Sequence, residues 1–356
     1  MTDHLYPTTV VGSMPRPQYV KDLIEEQARG GESFDRFQRM MDSAIPYVVQ
    51  MQEMAGIDVI SDGEWRRKSY IGVIADICSG FDVSIKELLG QRQTWHVAVS
   101  DLAVVNPGLL ASEARFLKKH TSNKVKVAIP SPYLLGERMW DEQMSQDAYP
   151  QRRDFTDALV PILRQELVAL RDEGVAIAQF DDPSLCLFVD SQVRSKYENP
   201  EDEVRYCVDL LNRVTDGVEG IRTAVHLCRR NKGRGGWVGE GGYEPILPAL
   251  NELYVDMLML EFAIPAAGDF AILKQLDERF DIGLGCVDCR SEQVDSPEVI
   301  AGRVRQAERY VDPQRITLHP DCGFAPGSAA DIPLDEAYLK LRNEAYAAEL
   351  LRAVYE

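Results

Sequence analysis

The sequence predicts an α/β fold in which eight parallel strands, each followed by a helix, close into one (β/α)8 barrel, the TIM-barrel architecture. Eight short apolar runs rich in β-branched residues alternate with amphipathic stretches along 356 residues. Nearly every run ends in polar or ionisable residues, as barrel strands do on the face that carries an active site. No segment rich in Pro, Gly or Ser divides the chain, so we expect a single domain over residues 1–356.

The eight predicted strands are short, apolar and bounded by turn-prone residues. They cover residues 8–13, 57–64, 125–132, 175–183, 221–228, 256–263, 280–288 and 315–323. Most of them are separated by stretches of helical period, such as 157–174 and 296–311. In a chain of this size, strands and helices that alternate in this way favour a closed parallel barrel over an open sheet.

Two segments depart from the simple alternation. The β-like run at 94–102 falls between the second and third predicted strands, and we interpret it as a hairpin-like excursion. The segment 231–245, after the fifth strand, contains many glycines but lacks the Lys-Ser/Thr pair of a phosphate-binding loop. Its composition predicts a hinged lid over a site rather than a domain boundary.

Composition excludes several classes of function. The 39 basic and 57 acidic residues give a formal charge of −18, which repels nucleic acid and anionic membranes. No apolar run is long enough to span a bilayer, and the N-terminus lacks the basic and apolar regions of a secretion signal. The seven cysteines follow no framework spacing, which is typical of reduced thiols. We therefore expect a cytoplasmic protein that acts on small molecules.

Four residues with metal-binding side chains stand at the ends of predicted strands. They are His226 and Cys228 after strand five, Glu261 after strand six and Cys322 after strand eight. Residues two apart on a strand face the same side, so the first pair can point together into the barrel mouth. A carboxylate after the apolar run MLML would be costly without a cation nearby. An imidazole, two thiolates and a carboxylate together indicate a zinc site.

These residues and several motifs resemble the catalytic barrel of cobalamin-independent methionine synthase. The resemblance covers nearly the whole chain. It rests on VVGSMPRP near the N-terminus, Asp-Gly-Glu after strand two, Gln-Phe-Asp-Asp-Pro after strand four, His-x-Cys after strand five, the glutamate of MLMLEF, Val-Asp-x-x-Ser after strand seven and His-Pro-Asp-Cys-Gly at the last strand. The full-length family has a second, N-terminal barrel, so this chain is similar to the short, single-barrel members.

The resemblance implies roles for particular residues. The zinc ligands of the family fall on the same four residues, His226, Cys228, Glu261 and Cys322. The contacts to the amino-acid substrate fall on Ser13 with the backbone of Val11 and Gly12, and on Glu64 and Asp181. The two carboxylates would bind an ammonium group, which favours an amino-acid thiol such as homocysteine.

Two positions depart from the pattern of the long family members. Their histidine in D-x-H-S, thought to protonate the leaving folate nitrogen, is replaced by Arg290, which is a poor general acid. Their tryptophan that stacks on the pterin has no counterpart in IPSPYLLGER, where Tyr133 could stack instead. His319, at the end of the last strand, is a candidate for the missing general acid. These departures leave the alkyl donor open.

The expected activity is zinc-dependent transfer of a methyl or other alkyl group to a substrate thiol, most simply homocysteine to give methionine. A thiol bound to zinc loses its proton near neutral pH and then attacks an electrophilic carbon. Basic clusters after Glu64 and after Cys228 also fit an anionic donor, although ordinary ion pairing explains them equally well. The clusters are Arg66, Arg67 and Lys68, and Arg229, Arg230, Lys232 and Arg234. Arg290 would extend the same anion site.

Three other functions remain open at this point. The first is a zinc-dependent transferase or lyase that joins an epoxide to a thiol of the coenzyme M type, which needs no folate pocket. The second is a barrel with a structural zinc or a binding protein, although structural sites usually cluster cysteines in sequence. The third is a metal-free barrel similar to uroporphyrinogen decarboxylase. The sequence gives no indication of the oligomeric state.

Overall fold

The structure, a computed structural model, describes residues 4–31, 33–88, 91–325 and 332–355. Its strands in chain order are β1 (Val59–Ile60), β2 (Cys78–Leu88), β3 (Gln91–Val104), β4 (Lys124–Pro130), β5 (Ile177–Asp181), β6 (Arg222–Leu227), β7 (Met257–Glu261), β8 (Asp281–Val287) and β9 (Ile316–Pro320). Seven of them form a parallel sheet in the order β1-β4-β5-β6-β7-β8-β9. Each of these seven strands overlaps a predicted strand, and the predicted α/β class is confirmed.

The first predicted strand, residues 8–13, lies between the two edges of this sheet. Thr8 forms a parallel bridge with Leu318 of β9, and Thr9 forms one with Val59 of β1. The amide of Thr9 donates to the carbonyl of Leu318 at 2.9 Å, and the amide of Val59 donates to the carbonyl of Thr8 at 3.0 Å. Each edge thus meets the segment through a single bridge, too short a ladder for a regular strand. The sheet is curled and barrel-like, and this segment spans its opening.

An antiparallel hairpin of β2 and β3 stands apart from the curled sheet, between β1 and β4 in the chain. It is longer than the predicted run at 94–102. The pairing register shifts between Ser79 and Phe81. Gly80 lies at this irregularity with φ of 113°, and an added Cβ would lie 2.9 Å from the carbonyl oxygens of Ser100 and Asp101. A residue other than glycine would therefore be strained at this point.

The helices lie outside the sheet and connect its strands. In chain order they are α1 (Gln18–Ala28), α2 (Phe34–Ala55), α3 (Val73–Ile77), α4 (Leu109–Lys118), α5 (Pro132–Met139), α6 (Arg152–Asp172), α7 (Pro183–Cys186), α8 (Ser191–Arg194), α9 (Pro200–Thr215), α10 (Leu247–Leu250), α11 (Pro297–Ala307) and α12 (Leu334–Arg352). Several begin with a capping side chain and a proline. Ser296, for example, accepts a hydrogen bond from the amide of Val299, with Pro297 in the first turn of α11.

Both faces of the sheet are covered, since every residue of β5, β7 and β9 is buried. No helix within the described ranges is both long and apolar enough to cross a membrane. The carboxyl ends of the parallel strands all open on one side, which we call the mouth. The glycine-rich segment after β6 has two 3-10 turns, Gly233–Gly235 and Glu244–Ile246, and a bridge from Asn231 to Trp237. The predicted movement of this segment as a lid stays a prediction.

Candidate active site

Three of the four predicted metal ligands meet at the mouth. His226 lies on β6, Cys228 directly follows that strand, and Cys322 follows β9. One ligand atom from each, an imidazole nitrogen or a sulfur, lies within 4.8 Å of the other two, and all three side chains are buried. Strands β6 and β9 are not neighbours in the sheet, so the curl of the sheet brings these ligands together.

The chemistry of this triad fits a divalent cation. Neither ring nitrogen of His226 has a hydrogen-bond partner among the described residues, although both are buried. Burial and the nearby His319 hold the pKa of His226 well below its usual value, so the imidazole is neutral as a ligand must be. The pKa of Cys322 is raised, first by contact with the Cys228 thiol and then by burial. A zinc ion at this point would supply the positive charge that two thiolates need.

Glu261, the fourth predicted ligand, lies outside this triad. Its side chain is fully buried at the end of β7. One carboxylate oxygen accepts a hydrogen bond from the backbone amide of Arg229 at 2.9 Å and lies 3.4 Å from the guanidinium of the same residue. The other oxygen pairs with the guanidinium of Arg290. Two arginines therefore occupy both oxygens that a metal would need.

Arg290 connects this ion pair to the loop of Cys322. Its Nη1 lies 3.7 Å from Asp321, which in turn accepts hydrogen bonds from the amides of Phe262 and Ala263 at 2.9 Å. Burial alone would lower the pKa of Arg290, but Cys289 and Glu261 raise it well above its usual value. The guanidinium therefore stays charged and holds carboxylates in place. Because its guanidinium is charged and bound to carboxylates, Arg290 is a poor general acid here, as its residue type predicts.

The predicted substrate residues Glu64 and Asp181 also lie at the mouth, after β1 and at the end of β5. Both are nearly fully buried. Burial raises the pKa of Glu64, and burial together with Glu64 raises the pKa of Asp181 to about 8. Two buried carboxyl groups that destabilise each other's charge form a site that a cationic ligand would stabilise. An ammonium group is such a ligand.

The segment of Val11, Gly12 and Ser13 packs between this carboxyl pair and the metal triad. A Cβ at Gly12 would lie 2.2 Å from a carboxylate oxygen of Glu64, so only glycine allows that approach. A Cβ at Gly323, the residue after Cys322, would lie 2.2 Å from the hydroxyl oxygen of Ser13. The structure thus brings Gly12 against Glu64, and Ser13 against the loop that carries Cys322.

Two buried polar residues lie behind Asp181; the sequence analysis missed Lys126 and named Gln179 only as part of the Gln-Phe-Asp-Asp-Pro motif. Lys126 on β4 donates to the side-chain oxygen of Gln179 at 2.7 Å, and the amide nitrogen of Gln179 donates to Asp181 at 2.6 Å. Both residues are almost completely buried. Burial lowers the pKa of Lys126 to about 7, against the opposing effect of Asp181. The signal was present, since a lysine inside the apolar run VKVAIP is expensive without a partner.

Comparison with known proteins settles the family. Residues 6–349 match the family model described as the catalytic domain of cobalamin-independent synthase. The chain belongs to the cobalamin-independent methionine synthase family. The resemblance seen in the sequence is therefore confirmed.

Individual relatives match over most of their length. A methionine synthase of Sulfurisphaera tokodaii is 26% identical over 357 residues, which cover 98% of this chain and 93% of the relative. One from Pyrococcus horikoshii is 28% identical over 361 residues, covering 99% and 94%. The solved structure of a B12-independent methionine synthase from Shewanella sp. W3-18-1, in complex with selenomethionine, aligns with a TM-score of 0.80 at 22% identity and covers 99% of each chain. That likeness establishes the shared barrel-like fold.

The structure corrects the stacking role predicted for Tyr133 in this family member. The side chain is 1% exposed, its hydroxyl donates to Glu203 at 3.0 Å, and the guanidinium of Arg152 lies 4.9 Å from its ring centroid. Its ring also packs against Phe188 and Tyr206. The tyrosine belongs to the core beside α5 and offers no open face to a ligand. Sequence position alone could not distinguish a core tyrosine from a mouth tyrosine.

His319, the candidate general acid, lies close to the triad but deep in the sheet. Its ring centroid is 6.2 Å from that of His226, and the ring is fully buried. Nδ1 lies 2.6 Å from the carbonyl oxygen of Pro320. Burial lowers the pKa of His319 to about 4. The protonated form that a general acid needs is therefore disfavoured at neutral pH, and no observed contact supports that role.

Proposed function

We propose that this protein transfers a methyl group from a small-molecule donor to the thiol of homocysteine, with a zinc ion held by His226, Cys228 and Cys322. The observation that carries the proposal is the convergence of three buried metal-binding atoms within 4.8 Å at the mouth. Membership of the cobalamin-independent methionine synthase family supports it. We further propose that residues 1–356 form one domain, an eight-stranded barrel in which the segment at Thr8 and Thr9 completes the wall.

The donor set suits catalysis better than structure. Three protein ligands leave one position of a tetrahedral zinc site for a substrate. When bound, the zinc would lower the pKa of a substrate thiol, so that it reacts as a thiolate near neutral pH. Glu261 stays a predicted fourth ligand, because it reaches the metal only if Arg290 gives up one of its oxygens.

The chain's own residues orient the amino acid. Glu64 and Asp181 hold the ammonium group, and the hydrogen-bonded chain from Lys126 through Gln179 fixes the position of Asp181. Ser13 and the backbone of Val11 and Gly12 contact the remaining part of the amino acid. The thiol then lies towards the triad and away from the carboxyl pair, with its electrophile approaching from the open side of the mouth.

The glycine-rich segment lies over this arrangement. The side-chain amide of Asn231 donates to the carbonyl of Gly323 at 3.1 Å, and the guanidinium of Arg234 donates to the carbonyl of Arg290 at 2.8 Å. These contacts tie the segment to the loop of Cys322 and to the loop of Arg290, which pairs with Glu261. We propose that it acts as a lid that excludes water during the transfer.

Metal analysis tests the zinc site directly. We expect about one zinc per chain in the wild type and almost none in Cys228→Ser or Cys322→Ser. Cys207→Ser is the matched control, because this buried thiol on α9 bonds the carbonyl of Glu203 and is not part of the triad. A wild type without zinc, or a Cys228→Ser variant with full zinc, would refute the proposal.

Turnover tests the acceptor and the donor separately. The zinc-loaded protein is incubated with homocysteine and one of three donors: methyltetrahydrofolate, methylcobalamin or a methylated small molecule. Methionine formation with any of these supports the proposed reaction and identifies the donor. A cobalt-substituted protein whose visible spectrum ignores homocysteine but changes with coenzyme M would instead place the acceptor outside the amino acids.

A further inference from the structure

The basic clusters predicted from the sequence divide into paired and unpaired arginines. Most members have carboxylate partners: Arg66 with Asp42 at 2.7 Å, Arg67 with Glu113 at 4.0 Å, Arg229 with Glu261 at 3.4 Å, and Arg234 with Glu336. Arg230 is different. Its Nη2 donates to the hydroxyl of Ser184 at 3.2 Å, and across the described ranges no carboxylate lies within 4.0 Å of its guanidinium.

A second arginine in the same situation is Arg138, near the end of α5. Its guanidinium lies 4.9 Å from the ring centroid of Trp95, and its Nε is buried without a hydrogen-bond partner in the described part of the chain. Among the residues that the structure describes, it too has no carboxylate within 4.0 Å.

The two guanidinium groups act on each other. Burial lowers the pKa of Arg138, and the charge of Arg230 lowers it further. The hydroxyl of Tyr70 lies within hydrogen-bond reach of Arg138. Burial raises the pKa of this hydroxyl, while Arg138 and Arg230 both oppose that rise. Glu137 opposes the lowering of the Arg138 pKa, but within the described ranges it forms an ion pair with Arg152 and none with Arg138. An anion bound between the two guanidinium groups would therefore stabilise both charges.

These three side chains lie beside the proposed reaction centre. Arg138, Ser184 and Arg230 follow β4, β5 and β6, which are neighbours in the sheet, and Tyr70 follows β1. Cys228 and Asp181 are among the groups that raise the pKa of the Tyr70 hydroxyl. Arg230 has φ of 57°, a left-handed conformation that a residue with a side chain rarely adopts. The side chains of Arg138, Arg230 and Tyr70 are each half-buried, so a ligand can reach them.

We propose that Arg138, Arg230 and Tyr70 bind an oxyanion group of the alkyl donor, namely a carboxylate, sulfonate or phosphate. The inference rests on the proposed function in one respect, the identification of the ligand as the alkyl donor. The amino acid already has its own contacts at Glu64, Asp181 and Ser13. Two arginine forks and a hydroxyl offer the planar, multiple donors that oxyanions accept. The group would hold the donor with its electrophilic carbon towards the triad.

Direct binding of small oxyanions tests the site without turnover. Purified protein is titrated with phosphate, methanesulfonate or acetate at constant ionic strength, and binding is followed by calorimetry and by the fluorescence of Trp95 and the other tryptophans. We expect saturable binding of at least one probe, weakened about 10-fold or more in Arg138→Gln and in Arg230→Gln. The probe that binds most tightly identifies the chemistry of the anionic group.

Two further variants control this experiment. Arg138→Lys keeps the charge but loses the planar fork, and should bind between the wild type and Arg138→Gln. Arg205→Gln removes an exposed arginine that pairs with Asp202, and should bind as the wild type does. Thermal unfolding of each variant confirms that it is folded. Absence of saturable binding by the wild type with all three probes, or equal affinity in the wild type, Arg138→Gln and Arg230→Gln, overturns the proposal.

This outcome is separable from that of the proposed function. Anion binding is measured without homocysteine or a donor, and zinc content is measured without an oxyanion. A protein that binds phosphate through Arg138 but holds no zinc would keep the anion site and lose the transferase. A protein that holds zinc and forms methionine, but binds no oxyanion, would keep the transferase and lose the anion site.

Discussion

Two pairs of arginines at the same mouth have opposite surroundings. Arg229 and Arg290 are almost completely buried and hold Glu261 between them. Arg138 and Arg230 are half-buried and have no carboxylate partner among the described residues. The first pair carries its counter-charge within the fold, whereas the second pair leaves that charge to be supplied from outside.

The difference shows how to separate structural charge from binding charge. A buried charge is tolerated when it is paired, and removing one partner exposes the full cost of burying the other. An unpaired charge that is partly exposed to solvent has a lower desolvation cost, so it can remain unpaired until a ligand binds. Arg229 and Arg230 are neighbours in one basic cluster, and Arg290 and Arg138 lie in motif segments. The two pairs are therefore distinguished only by their partners in the structure.

The largest expected effect comes from neutralising Glu261. In metal-free protein, Glu261→Gln leaves Arg229 and Arg290 buried with one carboxylate fewer, and should lower the free energy of unfolding by about 3–5 kcal/mol. Chemical denaturation measures this change. Glu25→Gln, which breaks the exposed pair with Arg29, is the control and should cost less than about 0.5 kcal/mol. Equal stability of Glu261→Gln and wild type would contradict the structural role of the first pair.

The same variant shows whether Glu261 also binds metal. If the three residues of the triad suffice, Glu261→Gln should retain about one zinc per chain. A loss of zinc comparable to that of Cys228→Ser would instead make Glu261 a ligand that exchanges Arg290 for the ion. Zinc content and the cobalt spectrum of the two variants, compared side by side, decide between these outcomes.

Arg67, a third buried arginine, extends the comparison to pH. It lies 4.0 Å from Glu113, yet burial still raises the pKa of Glu113 from 4.5 to about 7. Because the folded pKa is the higher one, the stability contributed by the protonated carboxyl is complete below about pH 4.5 and is lost as the pH rises through about 7. Glu113→Gln removes this loss and should gain roughly 1–3 kcal/mol relative to wild type between pH 5.5 and 8.

Denaturation at several pH values measures this effect. Replacing an exposed carboxyl on α12, as in Glu349→Gln, gives the baseline. A constant difference in unfolding free energy between Glu113→Gln and wild type over this range would show that Arg67 keeps Glu113 ionised.

The smallest expected effect is that of Arg138→Gln on stability. Removing a charge that repels Arg230 and has no carboxylate partner should change the free energy of unfolding by less than about 0.5 kcal/mol. Arg290→Gln is the matched comparison, because the same substitution there leaves Glu261 and Asp321 with one cation fewer. A loss for Arg138→Gln as large as for Arg290→Gln would remove the distinction between the two pairs.

Much of the fold and of the metal site could be predicted from the sequence, because both depend on local signals. The alternation of apolar runs with helical stretches indicates a parallel α/β sheet, and the metal-binding side chains stand at strand ends. His226 and Cys228 share one strand end, so their proximity follows from the period of two. The first strand was less predictable, since its two bridges depend on both distant edges of the sheet.

The sequence by itself determined which residue types stand at the mouth, since a polar residue at the end of a buried strand is a local feature. Tertiary structure alone decided their partners. It put Glu261 between two arginines, buried Tyr133 in the core, joined Lys126 to Gln179, and left Arg138 and Arg230 without a carboxylate partner among the described residues. Each of these contacts joins residues far apart in the chain. Their energies depend on burial and on the distance between charges, which become defined when the sheet curls.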